Sequence, residues 1–214
     1  MQKKQFFLHD YSKSKALVRL LNQKIRFEVK HTEFPVFFSG NCKQGSFVQK
    51  FKQGFTELFT KGYERVICLG NDVPEINTNL IQEVAGLLDS NDFVSAKTNT
   101  GGIAFLGLTK SGFQQFNFHH VQWQSSNLLE SLYTEIENQK YCFLQHEFFE
   151  LNTPSETRLF FRNIKNLSLL TCYGQFFLKL IERQFDNVTR DIETEYEFYL
   201  QGEGYRGPPI RFCY

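Results

Sequence analysis

Short apolar runs alternate with helical patterns along this chain. Gln5–His9 reads as a first strand, followed by a basic helix that runs to about Lys24. Phe34–Ser39 is a second strand. Phe47, Phe51, Phe55, Leu58 and Phe59 then recur at spacings of three and four, one face of a helix that stops near Lys61-Gly62. Arg65–Leu69 is the third strand. Leu80, Ile81, Val84, Leu87 and Leu88 form the apolar stripe of a helix over Asn77–Leu88. Asp92–Lys97 and Gly102–Leu108 read as strands, with Thr98-Asn99-Thr100-Gly101-Gly102 turning between them. Ser125–Glu137 is helical, Tyr141–Leu151 extended and Pro154–Phe161 helical. Asn166–Phe185 is a long helix, and the tail from Tyr196 carries no assignable pattern.

Strand and helix alternating in this way imply a mostly parallel sheet with helices on both faces. The fold class is α/β, a three-layer α/β/α sandwich around a Rossmann-like sheet. No internal repeat or low-complexity linker interrupts it. The chain divides into a domain over residues 1–165, with residues 166–214 as a C-terminal helix and tail packed on it. Phenylalanine is abundant, and five adjacent pairs occur at 6–7, 37–38, 148–149, 160–161 and 176–177. Neighbouring side chains of a strand point to opposite faces, so such pairs suit strands covered on both sides. An exposed aromatic patch that drives self-association, and hence a homo-oligomer, is the alternative.

Charge changes this picture little. The formal net charge is +1, so no global field favours nucleic acid or a membrane surface. Locally, Lys3, Lys4, Lys13, Lys15, Arg19, Lys24, Arg26 and Lys30 outnumber Asp10 and Glu28 in the first thirty residues. Such a segment faces phosphate or is a solvated helix face. The five cysteines are scattered, without a C-x-x-C pair, which suits a reducing compartment better than a disulfide framework or zinc site. No apolar stretch reads as a signal peptide or a membrane span, so the expected location is cytoplasmic.

The chemistry-bearing segment is Arg65–Glu75, RVICLGNDVPE. A buried strand ends at Gly70, and Asp72 follows at its C-terminal end, where open α/β sheets bind ligands. Gly70 is expected to let the backbone turn, and Pro74 to stiffen the exit. Asp72 then holds a divalent metal that carries a diphosphate, or it only caps the next helix. Other motifs fail their context. Gly202-Glu-Gly204-Tyr-Arg-Gly207 follows no strand and runs into Pro208-Pro209, so it is no dinucleotide loop. Gly40–Gly45 has P-loop spacing with Ser46-Phe47 where Lys-Ser/Thr is required. His119 and His120 are adjacent and do not easily serve one metal. Ser125-Ser126 has no nucleophile-elbow context.

Five segments in order carry a resemblance. Gln44-Gly45 precedes the Phe55 helix; Gly70-Asn71-Asp72-Val73-Pro74 follows; then come Gly101-Gly102-Ile103-Ala104-Phe105-Leu106-Gly107-Leu108, Trp123-Gln124-Ser125-Ser126 and Glu150-Leu151-Asn152-Thr153-Pro154. Over roughly residues 5–160 this resembles the rSAM/selenodomain-associated transferases of glycosyltransferase-A fold. Their pattern is Q-x-G, G-x-D-x-P, D-G-G with an aromatic strand, W-S-T and D-V-D-T-P. The resemblance implies a domain that binds a nucleotide sugar, normally through Mn²⁺ or Mg²⁺. It implies Asp72 as the metal or donor contact, Gly101 and Gly102 as the floor of the sugar site, Trp123 as its wall, and Arg19 on the pyrophosphate.

The departures bear on chemistry. YSKSKALVRL keeps only Arg19 and Leu20 of the family's P-x-x-G-x-x-K-T-R-L, with Lys13 or Lys15 as possible substitutes for its lysine. Thr100 replaces the Asp of D-G-G. Asn152 replaces the second Asp of D-V-D, and Glu150 the first. Asp72 and Glu150 are left as acidic groups, too few for a hard cation that wants several anionic oxygens. Lys13, Lys15 and Arg19 would then neutralise the diphosphate. The expected activity is glycosyl transfer from a nucleotide sugar to an undefined acceptor, with Glu150 as candidate base. The alternative is a catalytically degenerate descendant that serves as a binding or assembly module; a nucleotidyltransferase fits less well, since it normally needs a Gly-rich first loop.

Overall fold

The computed structural model describes residues 11–38, 45–164 and 210–213. The expected strand at Gln5–His9 and the expected helix at Asn166–Phe185 lie outside the described residues. The described chain runs α1 (Tyr11–Lys30), β1 (Val36–Phe38), α2 (Phe47–Thr60), β2 (Arg65–Gly70), α3 (Thr78–Leu87), β3 (Phe93–Thr98), β4 (Ile103–Thr109), α4 (Lys110–Gln115), α5 (Leu128–Ile136), β5 (Tyr141–Phe148), α6 (Pro154–Ile164) and β6 (Ile210–Cys213).

One compact unit comprises the described residues from Leu21 to Leu151 together with β6. Its sheet has the order β1-β6-β2-β4-β3-β5. Successive residues of β2 face opposite sides. Val66 and Cys68 join Phe51, Phe55, Leu58 and Phe59 of α2 and Leu132 and Ile136 of α5 in one apolar cluster. Ile67 and Leu69 join Ile25 and Val29 of α1 and Ile81 and Val84 of α3 in another. Phe37 and Phe38 diverge as a strand pair must. Phe37 meets the Tyr63 ring at 5.5 Å, whereas Phe38 is 43% exposed beneath the Arg26 guanidinium at 4.2 Å. That pair is therefore covered on one side more than the other.

The mostly parallel sheet is corrected. β1, β2, β3 and β5 run the same way, but only β3 and β5 pair parallel; β1–β6, β6–β2, β2–β4 and β4–β3 are antiparallel. The reason lies in the turn after β3. A tight connection of a few residues can join only antiparallel neighbours, because a parallel return needs a crossover of a dozen or more. Residues 99–102 are that tight connection, so β4 folds back between β3 and β2. β6, from the tail that carried no pattern, is the second reversed strand.

Helix ends follow local chemistry. Ser46 accepts the Gln49 N–H at 3.3 Å while Gln49 returns its side-chain oxygen to the Ser46 N–H at 2.8 Å, a capping box that starts α2. Asn77 accepts the Leu80 N–H at 3.0 Å and starts α3.

A second unit takes in the described residues up to Leu20 and from Asn152 to Ile164. In it Thr153 and Glu156 form the cap of α6: Glu156 accepts the N–H groups of Asn152 and Thr153, both at 2.8 Å, and donates its own to Thr153 Oγ1 at 3.3 Å. Leu17, Leu20 and Phe160 are buried. Among the described residues no helix is long and apolar enough to cross a membrane.

Candidate functional site

β2, β3 and β5 bring their C-terminal ends to one end of the sheet, and β4 begins there. The segments that follow these ends carry Asp72, Asn99–Gly102 and Glu150. Their backbones are stitched together. Leu151 donates its N–H to the Asp72 carbonyl at 2.8 Å, Glu150 to Asn99 Oδ1 at 2.8 Å, and Asn99 to the Phe148 carbonyl at 2.9 Å.

Asp72 is 2% exposed. Gly70 is needed there for space rather than for a left-handed turn. Its φ is not positive, and a Cβ on it would stand 2.7 Å from Asp72 Oδ1 and 3.4 Å from the Ala104 carbonyl. The carboxylate thus folds back over the last residue of its own strand. Asp72 is not the cap of the following helix. Asn77 does that work, and the first N–H of α3, from Thr78, goes to Glu28 Oε2 at 2.8 Å. The capping alternative falls.

The paired glycines have separate reasons. Gly101 holds φ +80°, which the turn requires, and donates to the Thr98 carbonyl at 3.0 Å. Gly102 is a close approach: a Cβ there would lie 2.8 Å from Glu150 Oε2 and 3.0 Å from Thr98 Oγ1. The group that comes down on it is the protein's own carboxylate. Glu150 Oε2 accepts the hydroxyls of Thr98, at 2.8 Å, and of Thr100, and Thr98 Oγ1 in turn accepts the Gly102 N–H at 3.0 Å.

Asp72, Gly101, Gly102 and Glu150 are therefore brought together. Trp123 makes its contacts with other residues. Its indole Nε1–H donates to the Phe118 carbonyl at 2.7 Å, its ring meets Phe51 edge-on at 4.9 Å and stacks on Phe118 at 6.0 Å, all within the α2 cluster. It is half-buried against that cluster, with its one polar atom matched by backbone. Lys15 and Arg19 are exposed on α1 and belong to the second compact unit. The side chain of Lys13 lies outside the described residues.

A polar network behind Asp72 escaped the sequence reading. Asn71 Nδ2 donates to Asn22 Oδ1 at 2.9 Å. Lys24 donates to the Ile76 carbonyl and lies 3.7 Å from Glu28. Burial pushes the Lys24 amine down to about 8, against the opposing pull of Glu28 and Glu75. Glu75 accepts the Phe149 N–H and lies 3.4 Å from His146 Nε2. The available signals were the i, i+4 spacing of Lys24 and Glu28 and the hydroxyls of the Thr98-Asn99-Thr100 turn.

As a donor set for Mn²⁺ or Mg²⁺ these residues fall short. Among the described residues no three His, Cys, Asp or Glu side chains gather to hold a metal. Glu150 already satisfies one oxygen with two neutral hydroxyls. Asp72 and Glu150 alone do not make a cation site.

Against known proteins, residues 23–125 match a family described as "Uncharacterized protein conserved in bacteria (DUF2064)". The match takes in the last eight residues of α1, β1 to β4, and the Asp72 and Gly101-Gly102 segments. No curated protein matches the chain. Among solved structures the chain is similar to a "putative nucleotide-diphospho-sugar transferase" from Desulfovibrio desulfuricans G20. The TM-score is 0.68 at 17% identity, covering 84% of this chain and 86% of that one. The likeness is one of fold: a mixed α/β sheet of that transferase's type.

Proposed function

We propose that this chain binds a nucleotide sugar at the sheet end that carries Asp72, Gly102 and Glu150, and transfers its sugar to an acceptor. On this reading it is a divergent relative of the rSAM/selenodomain-associated transferases, a three-layer sandwich of glycosyltransferase-A type. The observation that carries it is the convergence of Asp72 and Glu150, both more than nine-tenths buried, on loops joined by the Leu151–Asp72 hydrogen bond. Carboxylates gathered at the C-terminal strand ends of an open α/β sheet stand where such folds bind ligands. Both accept hydrogen bonds, which suits the hydroxyls of a ribose or a sugar. Glu150 is the candidate base. The leaving diphosphate needs its charge neutralised, and Lys13, Lys15 and Arg19 are the cations that the resemblance offers for it. A divalent cation would enter only with phosphate oxygens completing its coordination.

The sparse acidic set favours a second reading, in which the site binds a donor without turning it over. Thermal unfolding against UDP, GDP, CDP and dTDP sugars, each with and without Mn²⁺, tests both. A donor at about 100 times its Kd adds roughly 2.7 kcal/mol. A shift lost in Asp72→Ala supports a donor site here, and release of free nucleotide diphosphate then separates transferase from binding module. Without a shift from any donor, the nucleotide-sugar reading falls.

A further inference from the structure

We infer that Glu75 is a positioning residue that couples the Asp72 loop to the Glu150 loop. This rests on the nucleotide-sugar reading of the site and names a residue outside the set that would touch the donor.

Glu75 stands three residues after Asp72, on the segment that leads from β2 to α3. One of its oxygens accepts the backbone N–H of Phe149, the residue before Glu150. The other lies 3.4 Å from His146 Nε2 of β5. It is therefore the side chain by which the loop after β2 grips the loop after β5. Two residues further along, the Leu151 N–H reaches the Asp72 carbonyl at 2.8 Å. Glu75–Phe149 and Leu151–Asp72 are thus two crosslinks between the same pair of loops, one on either side of Glu150. The spacing between the candidate carboxylates is set by both.

The first loop is itself held from α1. Lys24 donates to the Ile76 carbonyl, next to Glu75, and Glu28 accepts the Thr78 N–H and hydroxyl, both at 2.8 Å. Asn22 takes the Asn71 amide at 2.9 Å. The segment 71–78 is consequently fixed on one side to a helix and on the other, through Glu75, to Glu150. A carboxylate accepting a backbone N–H makes a stronger bond than a neutral acceptor would, which suits a tie between two otherwise irregular segments. A site must hold its groups within a fraction of an ångström, so loss of the tie costs function even where the fold survives.

Two variants test this. Glu75→Ala removes the acceptor; Glu75→Gln keeps an oxygen that can take the Phe149 N–H. Amide hydrogen exchange is measured first, without ligand. Glu75→Ala should speed exchange at Phe149 and Leu151 by about tenfold while Phe105 and Leu106 of β4 keep their protection, and Glu75→Gln should stay near wild type. Affinity follows, with whichever of UDP-glucose, GDP-mannose, CDP-glucose or dTDP-glucose shifts the melting of the wild type. Its Kd should rise about tenfold in Glu75→Ala and recover in Glu75→Gln. Should Glu75→Ala not fold, Glu75→Asp withdraws the carboxylate by one methylene and should give the same local acceleration. Unchanged exchange at Leu151, or an unchanged Kd, overturns the positioning role. Failure of every donor to bind the wild type overturns the nucleotide-sugar reading instead, and the exchange arm still decides whether Glu75 ties the loops.

Discussion

Gly102 and Glu150 meet as a backbone without a side chain and a buried carboxylate: a Cβ on Gly102 would stand 2.8 Å from Glu150 Oε2. The contact explains why the residue after the left-handed Gly101 is also glycine. It also makes the glycine's tolerance depend on the carboxylate.

Gly102→Ala should therefore destabilise the protein by about 1–3 kcal/mol, as overpacking commonly does. In a Glu150→Ala background the same change should cost less, with only the 3.0 Å approach to Thr98 Oγ1 left. Urea unfolding of the two single variants and the double variant measures the coupling. Equal costs in both backgrounds would refute the contact.

Removing the cap of α3 should be felt at Asn77 and not at Asp72. Asn77→Ala should cost about 1 kcal/mol, as lost N-caps do. Helix α3 in Asp72→Asn should keep its amide protection. Fraying of α3 in Asp72→Asn would restore the capping role to the aspartate.

The pH dependence of stability should carry the signature of Lys24. Its amine titrates near 8 when folded and at 10.5 in the unfolded chain. Between these values the unfolded chain holds a proton that the folded chain has released. Stability then rises with pH across that window, the gain starting near 8 and complete near 10.5. Glu28 and Glu75 face the amine and oppose the shift. Lys24→Met should remove this rise. A flat profile in the wild type from 8 to 10.5 would contradict the buried amine.

Trp123 is the one tryptophan of the chain, so its fluorescence reports on its site alone. With its indole N–H held by the Phe118 carbonyl and its ring packed on Phe51 and Phe118, emission should not respond to any nucleotide sugar that shifts the melting curve. Trp123→Ala should destabilise the protein by less than the roughly 3–5 kcal/mol of a fully buried ring, because this one is half-buried. Quenching by a donor would return Trp123 to the sugar site.

Much of the fold was legible because period decides it. The stripe from Phe47 to Phe59 and the run from Val66 to Leu69 mark α2 and β2 to within a residue or two. α1 runs to Lys30, six residues past its expected end near Lys24, because Ile25 and Val29 extend its buried face into the α3 side of the sheet. Strand order was not legible. No local pattern distinguishes Ile210–Cys213, in a tail of glycine and proline, from a loop, and its partners lie far away in the chain. Within the site, the aspartate, the two glycines and Glu150 were visible as residues. That Glu150 would press on Gly102 through Thr98 and Thr100 was not, since this depends on where β5 ends relative to the β3–β4 turn. The packing of Trp123 on Phe51 and Phe118 was not visible either, since sequence shows an aromatic ring without showing its neighbours.

The position of β6 has a consequence for biosynthesis. β2, β4, β3 and β5 come from one continuous stretch, 65–148, and can pair as soon as it is made. β1, although made earlier, pairs in the described sheet only with β6. A nascent chain would therefore carry Ile67, Cys68 and Leu69 along an open strand edge, and β1 without a paired strand, until residues 210–213 leave the ribosome. Ribosome stalling late in translation, or loss of those four residues, would leave the chain in that half-assembled and aggregation-prone state.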